Sequence, residues 1–189
     1  HIADVSHYVR PGSALDLEAW ERGTSVYFAD QVVPMLPREL SNGICSLNPR
    51  VDRLALSCVM TLTPEGEVVD HTIAKSVIRT TERMTYEDCN ALLAHSDPAL
   101  AERYARILPM LEDMAALSRV LEGRRRRRGA LELDTREIYV VCDESGTPVD
   151  VVLRTPGISE GLIESFMLAA NECVAEHLQK AALPAVYRV

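Results

Sequence analysis

Between Leu54 and Leu62 the apolar residues fall at every second position: Leu54, Leu56, Cys58, Met60 and Leu62. That period of two fixes a half-buried strand, because successive strand side chains point to opposite faces. Thr63-Pro64-Glu65-Gly66 then reads as a turn, and a second strand runs through Val69, Ile73 and Val77. The same unit returns later, as Glu137 to Cys142, the turn residues Glu144-Ser145-Gly146, and Val149 to Leu153. Each hairpin leads into helical sequence. After the first, Thr85 caps a helix with Asp88 three residues on, and Asp97-Pro98 gives a second start signal. Leu100, Tyr104, Ile107, Leu111, Met114 and Leu121 then follow helical spacing, and Pro109 should bend or interrupt that helix. After the second hairpin a helix spans about Glu160 to Lys180, with Ile163, Phe166, Met167, Ala170, Cys173 and Val174 as its apolar stripe. Strand–hairpin–helix occurs twice without self-similarity of sequence. The fold class is therefore α+β, a mixed or antiparallel sheet with hairpins and packed helices.

The segment ahead of the first hairpin is less regular. Ile2 to Val9 reads as a strand, and Ser13 caps a short helix over Leu15 to Gly23. Residues 24–52 carry Pro34, Pro37, Gly43 and Pro49 and lack a period, while Val32, Val33, Met35, Leu36, Leu40, Ile44 and Leu47 argue against disorder. Ala185 to Val189 reads as another strand. Strand-like sequence at both ends reads as an internal fragment of a larger domain.

At 189 residues, 47% hydrophobic and 25% charged, the chain suits one domain that buries roughly 70% of its unfolded surface. Its apolar runs are too short for a transmembrane helix, and its first residues lack the pattern of a signal peptide. Cys45, Cys58, Cys89, Cys142 and Cys173 are an odd number without a Cys-x-x-Cys pair. That argues against a disulfide framework and a zinc site and for a reducing, cytoplasmic setting. A net charge of −8 argues against nucleic-acid binding by bulk electrostatics.

Several residues admit a chemical role beside a structural one. Glu164 lies on the flank of the last helix's stripe with Glu160 and Asn171, where a carboxylate either faces a metal or ordered water or is simply solvated. Tyr27 and Phe28 adjoin at the entrance to the long loop of a chain with 5% aromatics; Tyr27 is either a stacking platform for a base or a loop anchor. Tyr86 stands at the first helical position after Thr85, near free backbone N–H groups that favour a phosphate, or packs. Arg124, Arg125, Arg126, Arg127 and Arg128 either contact phosphates or complement a helix C-terminus. The histidines show no ligand spacing, and neither a Ser/His/Asp set nor a Gly-rich phosphate loop is present.

The wording of particular stretches adds a resemblance. His1-Ile2-Ala3-Asp4-Val5-Ser6-His7-Tyr8-Val9, Ser25-Val26-Tyr27-Phe28, Gln31 to Pro37, Leu40 to Pro49 and Val51-Asp52-Arg53-Leu54 resemble, in order, the RNB family of ribonuclease II and ribonuclease R exonucleases. Thr85-Tyr86 and Leu162-Ile163-Glu164-Ser165-Phe166-Met167-Leu168-Ala169-Ala170-Asn171 continue the likeness, which is closer to the ribonuclease R branch. It implies a processive 3′→5′ exoribonuclease that hydrolyses single-stranded RNA with Mg²⁺, with RNA as partner and a monomeric state expected. It also implies that Tyr27 clamps the terminal base, that Tyr86 touches RNA near the scissile phosphate and that Glu164 is an active-site carboxylate. Leu133 falls where many relatives place a phenylalanine, the second jaw of the clamp; leucine packs on a base but cannot stack as a ring does. The family's metal-binding aspartates lie upstream of the position of His1 and its arginine motif beyond Val189, as do flanking cold-shock and S1 modules. Residues 1–189 are thus expected to be the central portion of one RNB catalytic domain, inactive as an isolated piece. The alternative is a catalytically silent RNB protein that only binds RNA.

Overall fold

The computed structural model describes residues 1–131 and 137–187. In chain order the elements are β1 (Ile2–Ala3), α1 (Val5–Tyr8), α2 (Ala14–Arg22), β2 (Val26–Tyr27), β3 (Val32–Val33), a π-helical stretch (Glu39–Ile44), β4 (Asp52–Leu62) and β5 (Val68–Arg79). Then follow α3 (Tyr86–Leu93), α4 (Pro98–Arg103), α5 (Leu108–Arg127), β6 (Glu137–Cys142), β7 (Pro148–Arg154) and α6 (Ile158–Lys180). Helices thus mix with antiparallel strands, as the sequence pattern requires.

The chain divides into two compact units, both discontinuous in sequence. The first comprises His1–Ser57, Ala74–Arg83 and the segment carrying β6 and β7. In it β1 pairs antiparallel with β4, Ile2 opposite Leu56 and Ala3 opposite Ala55. The strand expected over Ile2 to Val9 stops after Ala3, because Asp4 turns the chain into a helical turn. Its carboxylate accepts the His7 N–H at 3.2 Å and the Ser6 hydroxyl at 2.7 Å, a local bonding pattern that competes with the strand ladder. β2 and β3 form a two-residue ribbon, and β6 and β7 an antiparallel hairpin with an irregularity at Val141/Cys142.

The second unit comprises Cys58–Ile73, the stretch from Met84 that carries α3, α4 and α5, and the chain from Pro156 onward. Its core is built on buried Leu92, Tyr104 and Leu111, with Met84, Leu100, Ile107, Leu108 and Met114 packed against them. The helical run through Leu100 to Leu121 is interrupted before Leu108. Pro109 lacks the N–H that an interior position needs and so sits in the first turn of α5. The caps read from sequence are all made: Ser13 accepts from the Asp16 N–H, Thr85 from Asp88, and Asp97 from Ala99 and Leu100. Gly66, with φ +83°, closes the β4–β5 turn, where a Cβ would stand 3.0 Å from Val120 Cγ1.

Three burial patterns differ from expectation. In β4 the fully buried side chains are Ala55 and Ser57 and Leu56 is exposed, whereas Leu54, Cys58, Met60 and Leu62 are partly covered. In β5 Val69 and Val77 are exposed, whereas His71, Ile73, Ser76 and Ile78 are partly covered. In α6 the covered face runs through Ser159, Leu162, Ser165 and Cys173, leaving Ile163 and Met167 exposed. Ser159 tolerates burial because its N–H and hydroxyl both find acceptors, described below. At the C-terminal end, residues 185–187 form no strand.

Candidate active site

Tyr27 ends β2 opposite Val32, and the Phe28 N–H donates to the Gln31 carbonyl at 2.8 Å, which closes the ribbon. The Tyr27 ring is 77% exposed and Phe28 is exposed beside it. Phe28 lines a shallow depression of about 450 Å³ with Val32, Pro34, Arg38 and Asn42. Both aromatics belong to the first unit.

Tyr86 and Glu164 belong to the second unit. Tyr86 is the first residue of α3, its side chain exposed, its carbonyl accepting the Ser159 hydroxyl at 3.2 Å. Glu164 projects from α6 with a side chain 64% exposed; Arg125 Nη1 lies 3.4 Å from its Oε1. It lines an open cleft of about 730 Å³ flanked by Arg119, Arg125 and Arg126 of α5 and by Leu168 of α6. A carboxylate set among guanidinium groups can bind a cation only in competition with them. Among the described residues no three His, Cys, Asp or Glu side chains gather to hold a metal. One carboxylate falls short of a magnesium site's oxygen ligands, so the described residues do not by themselves fit that ion.

The five arginines close α5, and four have acceptors within the second unit. Arg124 donates to the Gly66 carbonyl at 2.9 Å, Arg125 reaches Glu164, and Arg126 pairs with Glu122 one turn earlier at 2.7 Å. Arg128 grips Glu172 with both terminal nitrogens, at 2.7 and 3.1 Å, and the paired carboxylate pushes its guanidinium pKa up. Arg127 is exposed. Leu133 lies outside the described residues.

A polar cluster of the second unit lies outside the candidates read from the sequence. Asn90 of α3 accepts the Ser159 N–H at 2.9 Å and donates to Glu160 Oε2 at 3.1 Å. Glu160 Oε2 also accepts the Gly157 N–H at 3.0 Å and the Ser159 hydroxyl at 3.2 Å. Burial works to raise the Glu160 pKa, but donors from Asn90, the backbone and Ser159 outweigh it, and the carboxyl ends below its ordinary value. The cluster ties the start of α6 to the first turn of α3, and so joins the helix bearing Glu164 to the one that begins at Tyr86. The one local signal for it was the spacing Gly157-x-x-Glu160, half of a capping box. A second group missed was Asp4, 3% exposed, whose carboxyl pKa is lowered chiefly by the Ser6 hydroxyl, against the effect of burial, with help from Lys75 at 3.8 Å.

Comparison with known proteins adds a family to this geometry. The RNB domain matches residues 1–189. Ribonuclease R 1 of Lactococcus lactis is 54% identical over 189 residues, covering 100% of this chain and 23% of the relative. Ribonuclease R of Thermotoga maritima is 49% identical over 190 residues, covering 100% of this chain and 26% of its own. The chain thus spans about a quarter of the length of these relatives. Among solved structures, Mycoplasma genitalium RNase R in complex with double-stranded RNA superposes with a TM-score of 0.91 at 31% identity, covering 99% of this chain and 33% of that one. With the RNB match extending over residues 1–189 of the chain, the chain belongs to the RNB family.

Proposed function

We propose that residues 1–189 are the central portion of a single RNB catalytic domain, in a processive 3′→5′ exoribonuclease that hydrolyses single-stranded RNA. The match of the RNB domain along the whole chain carries this reading, and the ribonuclease R relatives that align over all of it support it. A neighbour of the same fold described as bound to RNA supports RNA as the partner.

Within this reading Tyr27 stacks on a base near the 3′ end, a role that suits its exposed ring. Tyr86 touches RNA near the scissile phosphate, and Glu164 contributes a carboxylate to the active centre. Leu133 takes the part that a phenylalanine has in many relatives, packing on a base without stacking as a ring does. Arg124 to Arg128 approach phosphates, where RNA would compete with the acceptors they already have. Magnesium is proposed as the cofactor from the family likeness, with Glu164 offering one carboxylate toward it. The protein acts as a monomer in the cytoplasm, with its cysteines reduced. No helix among the described residues is long and apolar enough to cross a membrane.

The test is Tyr27→Ala in the full-length protein. Losing one base–aromatic stack costs ~1–3 kcal/mol, which speeds release of short RNA by roughly 5- to 150-fold. Long substrates remain held elsewhere, so the early rate on long RNA changes little and the terminal product becomes longer. A wild-type product ladder from a folded Tyr27→Ala protein overturns the clamp. Wild-type protein that binds RNA and never shortens it favours the silent RNA-binding alternative.

A further inference from the structure

Cys58 of β4 and Cys173 of α6 face each other within the second unit, their sulfurs 3.8 Å apart. Cys173 is 5% exposed and Cys58 is partly exposed, and both are free thiols. A disulfide needs its sulfurs at about 2.05 Å. From 3.8 Å that closure is shared between two side chains already in contact.

We propose that Cys58 and Cys173 form a redox site in which hydroperoxides such as hydrogen peroxide convert the pair into a disulfide that staples β4 to α6. Cys58, the more accessible sulfur, is the entry point. Its thiolate attacks one peroxide oxygen; the S–O bond forms, the O–O bond breaks, and the leaving hydroxide takes up the proton Cys58 released, giving water. The Cys173 thiolate then attacks the Cys58 sulfur. The S–S bond forms, the S–O bond breaks, and the second hydroxide takes the proton from Cys173. Two thiols thereby lose two electrons and two protons, and one peroxide becomes two waters.

The site is gated. Burial, with the adjacent Cys58 adding to it, pushes the Cys173 thiol up to about 11, so little thiolate is present at neutral pH. Below that value the closing step accelerates about tenfold for each unit by which the pH rises. The staple tethers the helix that carries Glu164 and encloses the chain from 58 to 173, so the unfolding midpoint of the oxidised protein rises by roughly 5–15 °C.

The experiment treats the full-length protein with hydrogen peroxide across a pH series and maps its peptides without reduction. The expected result is a peptide pair linking Cys58 to Cys173, lighter by two hydrogens, reversed by dithiothreitol and formed faster as pH rises. Cys173→Ser leaves Cys58 as a sulfenic acid that dimedone traps, whereas Cys58→Ser leaves Cys173 unmodified. The wild-type map decides even where a variant fails to fold. Cys58 and Cys173 recovered as thiols or as separate higher oxides, while other cysteines form the disulfides, overturns the assignment.

Discussion

Glu160 shows how one carboxylate can favour the folded state against its own desolvation. Its folded pKa lies below the ordinary value of 4.5, so its stabilising contribution is present above the unfolded pKa and disappears as pH falls through the lower folded one. Glu160→Gln should therefore destabilise the protein by about 1–2 kcal/mol at neutral pH, the size of a hydrogen bond to a charged group. Variant and wild type should converge as pH falls through the folded pKa and the carboxyl becomes neutral. Urea unfolding midpoints measured at several pH values check both the size and the convergence; a difference that persists in acid would mean that shape, not charge, matters at this position. Glutamine keeps one acceptor oxygen that can take the place of Oε2 and removes only the charge.

Between elements, the junction of α3 with α6 depends on there being no side chain at residue 157. A Cβ on Gly157 would overlap the Asn90 amide nitrogen, Nδ2. Asn90 sits at the end of a movable side chain, yet moving it breaks its bonds to Ser159 and Glu160. Gly157→Ala is expected to cost about 1–3 kcal/mol, and Asn90→Ala a similar amount. Because both remove the same contacts, the double variant should cost clearly less than their sum, and chemical denaturation of the four proteins measures that coupling. Strict additivity would show that the residues act separately. This clasp marks the limit of what sequence conveys. The caps at Ser13, Thr85 and Asp97, both hairpins and the break at Pro109 were legible because each is written within a few neighbouring residues. Asn90 meets its partners 69 and 70 residues away, a distance at which no local pattern speaks. The face of α6 was misread for a related reason: hydropathy favours Ile163 and Met167 over Ser159 and Ser165, although the serines are the ones covered. In β4 the larger Leu56 was preferred to Ser57 in the same way. Tyr27, Tyr86 and Glu164 stand out as candidates from residue type and position, but the roles proposed for them rest on family wording rather than on periodicity.

Across the whole molecule, a net charge of −8 leaves little general attraction for RNA, and the arginine run at the end of α5 already serves internal acceptors. Replacing Arg124 to Arg128 by glutamine is thus expected first to lower thermal stability, through loss of the Gly66 and Glu172 contacts. If the run also meets phosphates, the salt dependence of RNA affinity flattens while single-turnover cleavage of pre-bound RNA is unchanged. A lower melting temperature with an unaltered salt slope would assign the run to α5–α6 packing alone. The path of the chain carries a consequence of another kind. It passes from one compact unit to the other after residues 57, 73 and 83, again between α5 and β6, and after residue 155, five passages in all. A recombination breakpoint placed at any one of these crossings divides at least one of the two units rather than parting one from the other. Neither unit can be inherited, borrowed or lost as a cassette, so exchange between related genes would have to carry the interleaved pair together, leaving point substitution as the main way for either unit to diverge.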